Sequence, residues 1–123
     1  MTFPADAQAL FDRMAKAYQA ADAPGCAALF TIDATLLSPY APAAHGRAAI
    51  EDLHRVWTAD DPNNKSLTVL DAGASSDMGW CFLAYSEGDK TGDGKTLCTL
   101  KRQPDGSWLV HYCSLTCDTP PLA

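Results

Sequence analysis

Apolar residues in the first half of the chain recur at helical spacing. From residue 3 to residue 21 they return every three or four positions, which predicts one amphipathic helix. Pro4 suits the first turn of that helix. Asp22 is expected to end it and to cap a short second helix.

The next stretch predicts a strand, a loop and a third helix. The strand covers residues 34–38 and stops at Pro39, and the loop covers residues 40–46, which contain proline and glycine. The third helix covers residues 47–58. Its apolar stripe includes Trp57, and His54 lies on the same face.

In the second half of the chain the apolar pattern has a period of two. Four strands are predicted, over residues 65–74, 78–87, 95–103 and 107–116. Because short turns join them, they are expected to form an antiparallel meander. Apolar residues occupy both faces, so both faces should be covered: one by the helices and the other by a second copy of the chain.

Composition and charge narrow the possible functions. We expect a single domain over residues 1–123. Fifteen acidic residues against nine Lys and Arg give a net charge of −6, which argues against binding to nucleic acid or an anionic membrane. No apolar run approaches the roughly 18–20 residues that span a bilayer. With no signal peptide visible, a cytoplasmic protein is expected, and its five cysteines should be reduced thiols.

Five short segments, in the same order as these elements, resemble a known superfamily. They are RMAKAYQAAD (13–22), AALF (27–30), DAT with SP (33–39), GRAAI (46–50) and DGSWLVHY (105–112). Together they resemble the nuclear-transport-factor-2-like (NTF2-like) superfamily, and within it the ketosteroid isomerase and SnoaL-like branch. The resemblance implies an α+β fold: a cystatin-like cone in which a curved antiparallel sheet wraps around three N-terminal helices and encloses an apolar pocket. It also implies a homodimer through the outer face of the sheet.

The resemblance further implies where the catalytic groups of a ketosteroid isomerase would stand. Its general-base aspartate falls on Ser38, its donor tyrosine on Met14 and its donor aspartic acid on Thr99. A serine hydroxyl is neither an acid nor a base near neutral pH. A methionine offers an oxyanion no useful hydrogen bond. We therefore expect the pocket but not that reaction.

The alignment and the strand alternation together predict which side chains line the pocket. His54 is the candidate catalytic base, since its ordinary pKa is near neutrality; the alternative is a core histidine hydrogen-bonded to a backbone carbonyl or a tyrosine. The candidate ligand-binding residues are Met14, Tyr18, Ser38, Tyr40, Trp57, Phe82, Thr99, Tyr112 and Ser114. The same parity turns Leu97 inward and assigns Cys81, Cys98 and Cys113 to the outer face.

Neither a metal site nor a cofactor is predicted. His111, Cys113 and Cys117 share one strand parity, but paired, closely spaced ligands are absent and their face is the expected dimer interface. Residues 89–96 are similar to a phosphate-binding loop, yet they join two strands, whereas such a loop opens a helix. We interpret them as a solvated hairpin tip.

Three functions remain, and whether the protein is an enzyme stays open. The first is binding of a small, largely hydrophobic molecule in the cone cavity. The second is an isomerase, cyclase or dehydratase that acts on a hydrophobic carbonyl compound with His54 as general base. The third is a dimerisation or interaction module whose cavity its own side chains fill. A pocket too small for a ligand would favour the third, and a His54 shielded from the pocket would exclude the second.

Overall fold

In a computed structural model that describes residues 2–87 and 93–118, the described residues form three α-helices and six strands. The helices are α1 (Phe3–Gln19), α2 (Ala23–Ala27) and α3 (Arg47–Trp57). The strands are β1 (Phe30–Ser38), β2 (Ala41–His45), β3 (Ser66–Ser75), β4 (Met78–Ser86), β5 (Gly94–Arg102) and β6 (Trp108–Cys117). The predicted hairpin tip at 89–96 falls largely on residues 88–92, which lie outside the described residues.

Helices α1 and α3 begin where the sequence predicts, and α1 ends at Gln19, two residues before the predicted end. Helix α1 has Pro4 in its first turn and buries one face against the sheet, with Leu10, Phe11 and Met14 at its centre. The side chain of Asp22 accepts the backbone N–H of Gly25 at 3.0 Å and so caps α2. This cap defines where α2 begins.

The strands form one sheet in the order β2-β1-β6-β5-β4-β3. The predicted meander from β3 to β6 is confirmed, while β1 joins β6 in parallel. The prediction of a loop over residues 40–46 is wrong, because Ala41–His45 pairs antiparallel with β1. This strand lies at the edge of the sheet, where Pro42 can lack an N–H without costing a ladder hydrogen bond.

The faces of β4 and β5 are opposite to those predicted. Leu83 is 1% exposed and Leu100 is fully buried beneath the helices, whereas Phe82 is 37% exposed and Leu97 is 57% exposed on the outer face. An alternating pattern defines which residues of a strand share a face, but not which of the two faces packs on the helices. If the wrong face is chosen, every side chain of the strand is assigned to the wrong side. Thr99, predicted inward, shares the outer parity of Leu97.

A bulge reverses the parity of β6 halfway along the strand. Thr99 pairs with Tyr112 and Leu100 pairs with Val110, which leaves His111 as the extra residue. Before the bulge Val110 faces the core, as uninterrupted alternation predicts, and after it Cys113 does. Tyr112, which was predicted to face inward, is therefore 56% exposed, and Ser114 lies beside it in a groove on the outer face.

Three cysteines line up on the inner face of three neighbouring strands. Cys81 pairs with Cys98, and Cys98 pairs with Cys113. All three are buried, so their assignment to the outer face is wrong. For Cys81 and Cys98 the predicted face of the strand was reversed, and for Cys113 the bulge in β6 reversed it. The sulfur atoms of Cys98 and Cys113 are 3.5 Å apart, and burial raises the pKa of the Cys81 thiol to about 11. The pKa of the Cys98 thiol is raised as well, by its contact with Cys113 and by burial, so Cys81 and Cys98 are neutral packing groups at physiological pH.

Candidate functional site

A cavity lies between α1, α3 and the inner face of the sheet, and it has two parts. The inner part holds about 40 Å³, which is room for a few water molecules. The outer part holds about 250 Å³ and reaches the surface beside the exposed Tyr40 and Val56. The residues that line both parts are Tyr18, Trp57, Lys65, Tyr85 and Leu115.

His54 lies on α3 against the inner part, with its ring 5.2 Å from that of Trp57 and 5.9 Å from that of Phe30. Its Nδ1 donates to the carbonyl oxygen of Ile50 at 2.8 Å. Because a carbonyl can only accept, the neutral ring keeps its lone pair on Nε2. Burial lowers the pKa of His54 to about 4, and the hydrogen bond to Ile50 opposes that shift. His54 is thus a neutral core histidine that also lines the cavity.

Lys65 lies where the inner and outer parts meet. Its backbone follows a 3-10 turn at Pro62–Asn64, and its carbonyl accepts the side-chain amide of Gln19 on α1 at 2.7 Å. The ammonium nitrogen Nζ lies 4.4 Å from the ring centroid of Tyr18 and 5.3 Å from that of Tyr85. Burial lowers the pKa of Lys65, whereas the charge of Glu87 raises it. The two aromatic faces partly replace the water that the ammonium loses.

Glu87 brings a carboxylate to the wall of the outer part. Since Ser66 pairs with Ser86, the register of β3 and β4 places Lys65 and Glu87 at the next opposing positions. Burial, a hydrogen bond to Glu87 and the charge of Glu87 all raise the pKa of Tyr18. The phenol therefore stays protonated, and among the described residues Lys65 and Glu87 bring opposite charges to the aromatic walls of the site.

Two tyrosine hydroxyls form a chain at the surface end of the cavity. The hydroxyl of Tyr85 donates to the carbonyl oxygen of Thr116 at 2.9 Å. Since this bond uses the only proton of Tyr85, the hydroxyl of Tyr40 is the donor in the 2.6 Å contact between the two tyrosines. Burial raises the pKa of both tyrosines. The chain ties the turn after β1 to β4 and β6 and so shapes the mouth of the cavity.

The structure divides the predicted site residues into two groups. Those that line the cavity are Met14, Tyr18, Tyr40, His54 and Trp57. Those that do not line it are Ser38, Phe82, Thr99, Tyr112 and Ser114.

The residues of the second group lie away from the cavity, in the turn after β1 or on the outer face of the sheet. The hydroxyl of Ser38 accepts the backbone N–H of Tyr40 at 3.2 Å and holds the turn after β1. Thr99 accepts the N–H of Tyr112 at 3.1 Å. Thr99, Tyr112 and Ser114 line a groove of about 180 Å³ on the outer face, and Phe82 is exposed on β4.

The polar residues of the outer part that sequence reasoning missed are Lys65, Tyr85 and Glu87, and Thr96 was missed in the inner part. Tyr85 was missed because the face of β4 was reversed. Lys65 and Glu87 stand at the two ends of one predicted hairpin, residues 65–74 and 78–87. In the structure the turn pairs Ser75 with Met78, and a bulge between Val69 and Asp71 then shifts the register, so the turn residues alone could not have placed the two charges opposite each other.

The described residues hold neither a metal cluster nor a membrane helix. No group of three or more His, Cys, Asp or Glu side chains among residues 2–87 and 93–118 could hold a metal ion. Within that same part of the chain, no helix has the length and apolar character needed to cross a bilayer.

Solved structures with the same fold come from several bacteria. One is a ketosteroid isomerase-like protein from Erwinia carotovora atroseptica, with a TM-score of 0.75 and 19% identity over 91% of this chain and 93% of that one. Another is an NTF2-like protein with a cystatin-like fold from Novosphingobium aromaticivorans, with a TM-score of 0.71 and 18% identity over 94% and 82% of the two chains. A third is a domain of unknown function with a cystatin-like fold from Nostoc punctiforme, with a TM-score of 0.77 and 17% identity over 92% and 75%.

No protein-family model and no curated protein matches the sequence. The chain nevertheless has the cystatin-like α+β fold of NTF2-like and ketosteroid isomerase-like proteins. The expected cone, with its curved sheet packed on three helices among the described residues, is confirmed.

Proposed function

We propose that the protein binds a small, largely hydrophobic molecule in the cavity between α1, α3 and the sheet. The outer part of the cavity carries this proposal, because its volume of about 250 Å³ is close to the lower end of the range for ligand pockets, about 300–1,000 Å³. Its walls are mainly aromatic and aliphatic, and its few polar groups converge near Lys65. An apolar cleft with a small polar corner is the usual composition of a ligand site.

The inner part alone would favour a cavity filled by the protein itself. Its 40 Å³ leaves no room for an organic ligand beyond a buried substituent. The larger outer part favours binding over that alternative. We infer that the body of the ligand lies in the outer part, against Trp57 and Leu53, and that a small group of the ligand enters the inner part.

His54 supports binding better than proton abstraction. A base with a pKa of about 4 gains little driving force when it takes a proton from carbon, since efficient general bases titrate near the working pH. Its Nε2 lone pair can still accept a hydrogen bond from a ligand hydroxyl or N–H. We therefore propose His54 as a binding residue, with Tyr18, Tyr40 and Trp57 as neighbours.

The binding test uses 2-naphthylmethanol, a rigid apolar probe with one hydroxyl. We expect saturable binding with 1:1 stoichiometry by isothermal titration calorimetry. Ala41→Trp should weaken binding by tenfold or more, because Ala41 lines the outer part and the indole would occupy it. Ala43→Trp is the matched control: it adds the same bulk to β2 at an exposed position outside the cavity and should leave affinity unchanged.

Two results would contradict the binding proposal. One is the absence of measurable binding to the unmodified protein. The other is an equal effect of Ala41→Trp and Ala43→Trp, since binding would then take place away from the cavity.

We also propose that a second copy of the chain covers the outer face of the sheet. Leu37, Trp80, Phe82, Leu97 and Tyr112 are all at least 37% exposed. Phe82 pairs with Leu97 across β4 and β5, so the exposed side chains adjoin one another. A contiguous apolar patch on a sheet is rare in a monomer, and a two-fold axis can bury the same patch on both copies.

The oligomer is tested by sedimentation velocity with two matched glutamate substitutions. Leu97→Glu places a charge in the centre of the outer face and should convert a dimer into a monomer. Val56→Glu makes the same change at a 70% exposed position on α3 and should leave the dimer intact. A monomeric unmodified protein, or a Leu97→Glu variant that still dimerises, would contradict this proposal.

A further inference from the structure

The amine of Lys65 stands where a ligand in either part of the cavity would meet it. Its side chain lines the inner and the outer part alike, and the Tyr18 and Tyr85 rings flank its nitrogen at 4.4 and 5.3 Å. Gln19 holds its backbone through the carbonyl oxygen. The Lys65 side chain is therefore held at its backbone by Gln19 and at its amine by the two tyrosine rings.

The charges of the site favour a neutral polar group on the ligand over an anion. Lys65 stands opposite Glu87 in the register of β3 and β4, and both side chains line the outer part. A ligand carboxylate would approach the Lys65 ammonium and the Glu87 carboxylate together, and the repulsion would offset much of the attraction. A carbonyl group carries a dipole without a net charge, so it can approach Lys65 without that repulsion.

From this geometry we infer that Lys65 forms an imine with an aldehyde or a ketone bound in the cavity. The inference rests on the proposed binding function, and it names both the ligand class and the reacting atom. Lysine amines in apolar pockets are established nucleophiles toward carbonyl carbon. Burial also lowers the pKa of Lys65 and so increases the share of neutral amine at neutral pH.

The step balances without any further reactant. The Nζ lone pair attacks the carbonyl carbon, a C–N bond forms and the π electrons of the C=O bond move to oxygen. That oxygen takes a proton, and nitrogen loses one, which gives a carbinolamine. The C–O bond then breaks as the C=N bond forms, nitrogen gives up its second proton, and the hydroxyl group leaves with that proton as water. One amine and one carbonyl yield one imine and one water, and nothing is oxidised or reduced.

Glu87 is placed to move the protons. Standing opposite Lys65, its carboxylate can accept a proton from the ammonium before attack and return it to the departing hydroxyl group. The aromatic walls limit water around the imine and so slow its hydrolysis.

The experiment traps the imine on the full chain. The protein is incubated with 2-naphthaldehyde and sodium cyanoborohydride at neutral pH, and lysine adducts are located by peptide mass spectrometry. We expect the reduced adduct on Lys65 to exceed that on the exposed Lys101 by about tenfold or more. An excess of 2-naphthylmethanol, which has nearly the same shape but no carbonyl, should suppress the adduct on Lys65 and leave that on Lys101 unchanged.

Two variants serve as controls. Lys65→Arg keeps a cation beside the tyrosine rings but removes the primary amine, so it should lose this adduct. Lys101→Met should keep the adduct on Lys65. Circular dichroism checks that Lys65→Arg folds, and if it does not, the competition by 2-naphthylmethanol on the unmodified protein decides.

The outcomes separate the two proposals. If 2-naphthylmethanol binds but Lys65 is labelled no more than Lys101, the imine is wrong and the binding function stands. If 2-naphthylmethanol does not bind and Lys65 is not labelled, both proposals fail. Labelling of Lys65 that the alcohol does not suppress would also overturn the imine proposal, because the aldehyde would then react outside the cavity.

Discussion

Truncation of Leu83 to alanine is expected to lower the free energy of unfolding by about 2–5 kcal/mol. Leu83 is 1% exposed on the inner face of β4 and lines the inner part of the cavity. The truncation removes buried methyl groups and leaves a void that the surrounding core closes only in part. Denaturant unfolding followed by circular dichroism measures the effect.

Leu97→Ala is the matched control on the next strand. Leu97 is 57% exposed on the outer face, so the same truncation should cost less than about 1 kcal/mol in the folded monomer. Unfolding is measured at several protein concentrations, because any concentration-dependent loss belongs to the proposed dimer. If Leu97→Ala lowered the free energy of unfolding more than Leu83→Ala did, independently of protein concentration, the assignment of the inner and outer faces of the sheet would be wrong.

Acidification from about pH 7 to about pH 4 is expected to remove about 3 kcal/mol of stability through His54 alone. The pKa of His54 falls from 6.5 to about 4 on folding, mainly through burial. In this interval the unfolded chain binds the proton more readily than the folded chain does. The contribution of His54 is therefore complete above about pH 6.5, falls as the pH falls, and is lost near pH 4. The nearby Lys65 cation acts in the same direction.

His54→Gln isolates this contribution, because an amide does not titrate. Carboxylates also gain protons near the lower end of the interval, and they do so in both proteins. We therefore expect the difference in unfolding free energy between the two proteins to shrink by about 3 kcal/mol from neutral pH to pH 4. An unchanged difference over that interval would show that the histidine ring is accessible to solvent in the folded chain.

The sequence predicted the helices and the meander because their signals are local. The cap at Asp22 and the strand alternation depend on residues a few positions apart. The face of each strand depends instead on what packs above it. Since β4, β5 and β6 are apolar on both sides, alternation could not tell Leu83 from Phe82.

Only some of the residues that line the cavity were predicted, because the face of a strand is harder to assign than the face of a helix. The residues on α1 and α3, such as Tyr18 and His54, were placed correctly because a helix has only one apolar stripe. The bulge at His111 reversed the second half of β6, and a bulge of that kind has no signature in a single sequence. The opposition of Lys65 and Glu87 depends on strand register, which the turn residues alone did not define.

The two outermost strands limit how copies of this chain can associate. Strand β2 is short and contains Pro42, which lacks an N–H, and β3 at the opposite border has a bulge between Val69 and Asp71. Both features prevent another strand from adding to the ladder, as in proteins that avoid fibrous aggregation. Open-ended growth of the sheet from chain to chain is thereby disfavoured. When two copies pack through the outer face of the sheet, each copy covers that face of the other and no further copy can add there. The edge strands therefore favour a closed dimer over a polymer.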